Sequence, residues 1–212
     1  MRAQSLVPLA LAIALLCSHP HVASATSLAS DPSLGMSAET NAQPSALDLA
    51  DQEEPDASAL LDALAHSEDG QAADDLARQI QNRWNASGSE AVDVLMRRAT
   101  IAMRMQNHIL ALDLLDTVIA LAPDFAEGWN RRATVHFLRD DYALSIADVE
   151  QVLRLEPRHF GALSGIGIML DELGQDRPAQ MFLSEALRIH PHLTNAKQRL
   201  DEIERRLRGA PI

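Results

Sequence analysis

Aromatic side chains make up 3% of the 212 residues, lysine occurs once, at Lys197, and cysteine once, at Cys17. The shortage of rings excludes a core built on large aromatic residues and leaves the abundant Ala and Leu, which favour closely packed helices. With Cys17 confined to the leader described below, the rest of the chain has no cysteine for a disulfide or a thiol nucleophile. A bilayer-crossing run is missing too. The strongest apolar stretch, residues 6–16, is eleven residues long, against about 20 for a spanning helix, so no permanent membrane span is expected. Basic residues are also outnumbered, 18 Lys plus Arg against 30 Asp plus Glu. The resulting net charge of −12 argues against nucleic acid as a partner.

The charge imbalance is local. Residues 26–77 hold twelve Asp and Glu and neither Lys nor Arg, whereas residues 78–212 hold eighteen acidic and seventeen basic residues, a net of −1. Ahead of that acidic stretch, Met1-Arg2, the apolar residues 6–16 and Ala23-Ser24-Ala25 follow the order of a secretory signal, so residues 1–25 are expected to be removed on export. Leu16 is too bulky for the position before a lipidated cysteine. The Arg-rich, Ala-rich composition suits a GC-rich bacterial genome, and export then places the chain in the periplasm. Residues 26–55 show no lasting apolar period and are expected to be an acidic flexible linker. Within it, Leu47-Asp48-Leu49-Ala50 is the stretch suited to forming a short helix on a partner.

A period of 34 organises the remainder. Pro123, Pro157 and Pro191 are spaced by it, each two positions after an aliphatic residue, Leu121, Leu155 or Ile189. The other positions recur in step: Leu95, Trp129 and Leu163; Ala99, Ala133 and Gly167; Ala111, Ser145 and Ala179; Leu115, Val149 and Leu183; Val118, Val152 and Ala186. This pattern describes a helical hairpin used three times. The small residues let its two helices approach, the large ones fill the space between, and each proline ends the second helix. Starts are expected at Asp124 with Glu127 as a capping box, at Asp141 and at Asp176. Gly165-Ile166-Gly167 is read as small residues for close helix contact.

Trp129, Arg132-Ala133, His136, Ser145, Val149, Val152 and Pro157 resemble the signature of the tetratricopeptide repeat (TPR) family, and the third unit matches through Leu163, Ile166-Gly167, Leu170, Ala179, Leu183, Ala186 and Pro191. The resemblance implies an all-α fold, a right-handed superhelical solenoid of helix hairpins with three units at 92–125, 126–159 and 160–193. Residues 56–91 are expected to form a degenerate N-terminal hairpin, with Leu60, Leu61 and Leu64 on one helix and Leu76, Ile80 and Trp84 on the next. Residues 194–212 are read as a capping helix and tail, whose apolar stripe is Ala196, Leu200, Ile203 and Leu207. Nine helices follow. Structural roles fall to Trp129, Ala133, Pro123, Pro157, Pro191 and an ion pair of Arg132 with Asp148, and Asp113 is the corresponding candidate for Arg98.

In this family the first helix of each hairpin lines a concave groove that holds a peptide or a partner helix. The resemblance places there Met96, Thr100, Met103 and Arg104 from the first unit, Asn130, Arg131, Thr134, Phe137 and Leu138 from the second, and Ser164, Ile168, Asp171 and Glu172 from the third. The clamp of Lys, Asn and Arg that grips chaperone C-termini in one subclass is absent, because Met96, Thr100, Arg131, Gly161 and Gly165 stand at its places. Chemistry finds no foothold elsewhere. His190 and His192 flank Pro191 with no Asp, Glu or Cys in residues 187–197, and the pairs Asp74-Asp75, Asp140-Asp141 and Asp171-Glu172 fall near helix ends. No catalytic residue, metal or cofactor is expected. The sequence reads as a noncatalytic adaptor or scaffold whose partner is another protein or peptide held in the groove. The alternative is an accessory subunit of an envelope assembly that uses its convex face or its acidic linker.

Overall fold

The computed structural model describes residues 56–209, and all regular structure among them is helical. Helices α1 (Ala57–Ala65) and α2 (Gly70–Asn85) form a first hairpin. Three further hairpins follow: α3 (Glu90–Arg104) with α4 (His108–Leu121), α5 (Ala126–Phe137) with α6 (Tyr142–Leu155), and α7 (Phe160–Glu172) with α8 (Asp176–Ile189). The last described helix is α9 (Thr194–Leu207). The signal and the acidic linker of the sequence reading lie outside the described residues.

Pro123, Pro157 and Pro191 sit in the turns after α4, α6 and α8, where a residue without an N–H cannot continue the helix. The starts differ from expectation. Asp69, Asn107 and His159 cap α2, α4 and α7, accepting from the N–H groups of Ala72, Leu110 and Ala162 at 3.1, 3.2 and 3.0 Å. Asp141, by contrast, makes no cap bond because its carboxylate takes Arg139 at 3.0 Å. Asp176 lies inside the first turn of α8 and takes Arg206, and Glu127 turns inward rather than closing a capping box. Arginines therefore hold three of the four carboxylates expected at these helix starts, Glu127, Asp141 and Asp176.

Close approach within each repeat comes from its small residues. A Cβ added at Gly167 would stand 2.7 Å from Leu183 Cγ and 3.2 Å from the Leu183 backbone nitrogen, so α7 and α8 meet where only glycine fits. In the second unit Ser145 Oγ donates to the Ala133 carbonyl at 2.8 Å, satisfying a buried hydroxyl at the equivalent crossing. Gly165 departs from the reading: nothing lies within 4 Å of its hypothetical Cβ, so it makes no close contact. Between units, Val118 Cγ1 comes within 2.9 Å of a Cβ at Gly128, which brings α4 against α5.

The first hairpin does not extend the stack ahead of α3. Leu60, Leu61 and Leu64 of α1 and Ala73, Ala77 and Ile80 of α2 share a core with Phe160 and Leu163 of α7 and Ala186 and Ile189 of α8. The pair folds back across the repeats onto the third unit. Polar ties fix it there: His192 Nε2 lies 2.9 Å from the Ser67 carbonyl, and Arg158 reaches Asp62 at 2.7 Å. At the other end of the domain α9 covers α7 and α8 through Ala196 and Ile203. Leu207, expected in that apolar stripe, is 41% exposed.

Candidate partner-binding groove

The 34-residue period arranges the groove positions in four rows across α3, α5 and α7: Met96, Asn130 and Ser164; Thr100, Thr134 and Ile168; Met103, Phe137 and Asp171; Arg104, Leu138 and Glu172. The structure divides these rows in two. The first two lie toward the N-terminal and middle parts of the first helices, where the folded-back hairpin makes contact. The last two lie at the C-terminal ends.

At the hairpin side a polar network forms around one buried carboxylate. Glu127 accepts from Arg131 Nε at 3.0 Å and Asn130 Nδ2 at 2.9 Å, and His159 Nε2 stands 3.5 Å from its Oε2. His159 Nδ1 accepts from the Ala162 N–H, which leaves Nε2 as the ring nitrogen on the Glu127 side. Burial would raise the Glu127 pKa, but the His159 contact, Arg131 and Asn130 outweigh it and hold the carboxyl below its ordinary value. Arg131 also donates to Thr100 Oγ1 and to Asn85 Oδ1 at the end of α2, the latter at 2.5 Å. Beside it the Trp84 indole stacks on His159, centroids 4.1 Å apart at 12°, and meets Phe160 at 5.1 Å.

Five groove assignments change. Met96 is 5% exposed and belongs to the core of the first unit with Val92, Ala99 and Leu115. Thr100, Asn130 and Arg131 face one another and α2, so their hydrogen-bonding groups are engaged within the chain. Asp171 is tied to the last helix by Arg199 at 2.6 Å and by Arg206, which also holds Asp176. Thr134 Oγ1 bonds back to the Asn130 carbonyl at 3.0 Å. Arg104 and Glu172 are exposed, and Met103, Phe137, Leu138, Ser164 and Ile168 are half-buried. Phe137 meets the Tyr142 ring edge-on at 5.9 Å. The Tyr142 hydroxyl donates to Glu172 at 3.0 Å, and burial together with that carboxylate pushes its pKa up to about 12.

Arg132 lies outside the groove. Its guanidinium meets Asp148 through two bonds of 2.9 and 2.7 Å, reaches Asp116 of the preceding hairpin at 2.7 Å, and sits 5.0 Å above the Trp129 ring. The Asp148 bonds, with Asp116, hold its pKa above the ordinary arginine value despite partial burial. Trp129 Nε1 donates to the Pro123 carbonyl at 2.9 Å. Arg98 makes no ion pair with Asp113. The residue one period before Asp148 is Leu114, and Asp113 points about 100° away around α4.

The sequence reading missed Glu127, Asn85, Trp84 and His159 as one assembly. Its available signals were Glu127 beside Asn130-Arg131 and the lone Trp84 at the end of its helix, but their meeting depends on a fold-back that no local pattern encodes. Among the described residues no group of three or more His, Cys, Asp or Glu is arranged to hold a metal ion. No described helix is long and apolar enough to cross a membrane.

No protein-family model matches the sequence. A TPR repeat-containing protein of Rhizobium etli is 39% identical over 150 residues, covering 71% of this chain and 74% of that one. Among solved structures, the Sgt2 TPR domain from Aspergillus fumigatus aligns with a TM-score of 0.53 at 17% identity, over 57% of this chain and 81% of that one. MamA aligns with a TM-score of 0.53 at 17% identity, over 66% and 81%. The first TPR of Spaghetti (RPAP3), bound to the HSP90 peptide SRMEEVD, aligns with a TM-score of 0.53 at 19% identity, over 55% and 92%. These likenesses are to helical solenoids and bear on the fold.

Proposed function

Because the chain belongs to the tetratricopeptide repeat proteins, we propose that it is a noncatalytic adaptor or scaffold of the bacterial periplasm that holds a segment of another protein against its concave face. The observation that carries this reading is the register of Met103 with Phe137 and of Arg104 with Leu138 and Glu172, a surface left accessible at the C-terminal ends of α3, α5 and α7. Met adapts its shape, Phe137 supplies a large apolar contact, and the flanking charges suit an extended backbone. The peptide held by the RPAP3 repeat domain supports peptide capture as a use of this architecture. The partner differs in kind, since the carboxylate clamp is absent and Arg131 is already bonded to Glu127, Thr100 and Asn85. Export rests on the leader of residues 1–25.

A second reading has its own observation: Leu110 on α4 and Leu144 on α6, one period apart, are 41% and 54% exposed on the opposite helices. They suit an accessory subunit of an envelope assembly docking by its convex side. One experiment separates the two. Partners are captured by crosslinking in a periplasmic extract of the native host with the wild type, with Phe137→Ala and Leu138→Ala together, and with Leu144→Asp. Loss of the captured band in the first variant alone is expected. Loss in the Leu144→Asp variant alone moves the contact to the convex side.

A further inference from the structure

The end of α2 stands where the resemblance placed a partner. Asn85 is the last residue of that helix, and its Nδ2 donates to the Gln81 carbonyl at 2.7 Å, which presents Oδ1 to Arg131 at 2.5 Å. The same guanidinium donates to Thr100 and to Glu127, which also takes Asn130. One residue earlier the Trp84 ring lies on His159 and against Phe160. An aromatic ring and a carboxamide oxygen, adjacent in sequence, are thus set on an imidazole and a cation of the repeats. Thr100, Asn130 and Arg131 are groove positions of two successive first helices. The chain therefore fills the polar half of its own groove.

This occupant is built to leave. Its hold on Arg131 is a hydrogen bond from an exposed side chain. Residues 86–89 link α2 to α3, and Gly88 among them has φ 74° with nothing within 4 Å of its hypothetical Cβ, which suits a hinge. The seat is also imperfect, because His190 Nδ1 is buried beside Phe160 without a hydrogen-bond partner and would regain water once the hairpin lifts. Against these stand the aliphatic contacts of α1 and α2 with α7 and α8, which make the closed form the major one. Opening then needs a ligand that prefers the open form. We propose that α1–α2 is an autoinhibitory plug, displaced by a partner segment that carries the chemistry of Trp84-Asn85, an aromatic residue beside an acceptor oxygen. The proposal rests on the concave-face reading and adds an order to it: the segment engages the accessible half at Met103, Phe137 and Leu138 first, then replaces α2 on Arg131 and His159.

A reversible lock tests this in the periplasmic crosslinking capture. A Cβ at Gly70 stands 3.6 Å from His192 Nδ1, so Gly70→Cys with His192→Cys in a Cys17→Ser chain ties the start of α2 to the turn after α8 through the only thiols present. Reducing that disulfide should raise the captured, Phe137-dependent band at least about fivefold, since apparent affinity scales with the open fraction. Asn85→Ala should raise it above wild type and, without any partner, speed hydrogen exchange of α2 amides while those of α5 and α6 keep their protection. A Phe137-dependent band of equal strength in oxidised, reduced and Asn85→Ala chains overturns the plug and leaves the groove standing. No such band in any of them, wild type included, overturns the groove and the plug with it. Unchanged α2 exchange in Asn85→Ala counts against the plug independently of capture.

Discussion

The hairpin α1–α2 and the repeat hairpins are built from similar lengths of helix, yet they are joined to the domain by different means. Repeat joints rest on steric fit: Gly167 against Leu183, Ala133 under Ser145, Gly128 against Val118. The hairpin's joint to the second and third units adds rings and polar groups to its aliphatic core, with Trp84 on His159, His192 on Ser67, Arg158 on Asp62 and Arg131 on Asn85. The first kind of joint is repeated and local in sequence, with Arg132 between Asp148 and Asp116 as a charged supplement. The second is made once and over long sequence separations, and it contains titratable groups. The repeat stack should accordingly fail as a whole when its fit is broken, whereas the hairpin should detach by itself.

The largest effect is expected where the steric fit is tightest. Gly167→Leu forces a side chain into the Leu183 Cγ and backbone nitrogen, and the nearby backbone leaves little room to relax. It should cost about 3 kcal/mol, read as a cooperative drop in urea or thermal unfolding of the entire helical signal. Gly165→Ala, two residues away in open space, should instead be stabilising by roughly 0.5–1 kcal/mol through helix propensity. If the two variants unfold alike, steric fit at Gly167 is not what holds α7 to α8.

A smaller and more local effect should follow from Trp84→Ala. The indole bridges α2 to His159 and Phe160, so its removal should weaken hairpin docking by about 2 kcal/mol while the stack persists. Hydrogen exchange is the suitable measurement. Amides of α1 and α2 should lose protection, and those of α5 and α6 should keep theirs. Equal loss throughout would mean that the hairpin and the repeats form one cooperative unit, which erases the contrast.

Legibility divides along the same line. The repeats were readable because a stack contacts only its neighbours, so each packing rule appears at a fixed offset and appears three times: Pro123, Pro157 and Pro191 end helices, and Ala133 and Gly167 mark crossings. Arg132 with Asp148 was readable from the family variant that carries Arg at this place, and it occurs once, since Leu114 and Phe182 stand at the positions equivalent to Asp148. The fold-back of α1–α2 was not, since Leu60, Leu61, Leu64 and Ile80 require an apolar partner without specifying which, and the third unit lies about a hundred residues onward. Groove residues were legible as positions on α3, α5 and α7, but not in their availability. Arg131 and Asp171 look like free ligands in the sequence and are bonded in the structure, to Glu127 and Asn85 and to Arg199 and Arg206 respectively.

The smallest effect concerns pH and bears on the hairpin joint alone. His190 is buried at the end of α8 and meets Phe160 edge-on at 5.1 Å; burial holds its pKa below the ordinary histidine value, with Asp74 of α2 opposing that shift and His192 reinforcing it. A folded pKa below the unfolded one means that both states are neutral well above about 6.5, where the contribution to stability is complete. As the pH falls through that value, the unfolded segment takes up a proton that the folded one resists, and stability declines toward the folded pKa. Glu127, also lowered, adds its loss only in the more acidic carboxylate range. Between pH 7 and pH 5 the hairpin should therefore weaken, and His190→Gln should flatten that slope. Trp84 fluorescence in a Trp129→Phe background reports on the joint through its stacking on His159. An unchanged slope in the His190→Gln variant would assign the pH response to another group and remove His190 from the features that set this joint apart from the repeats.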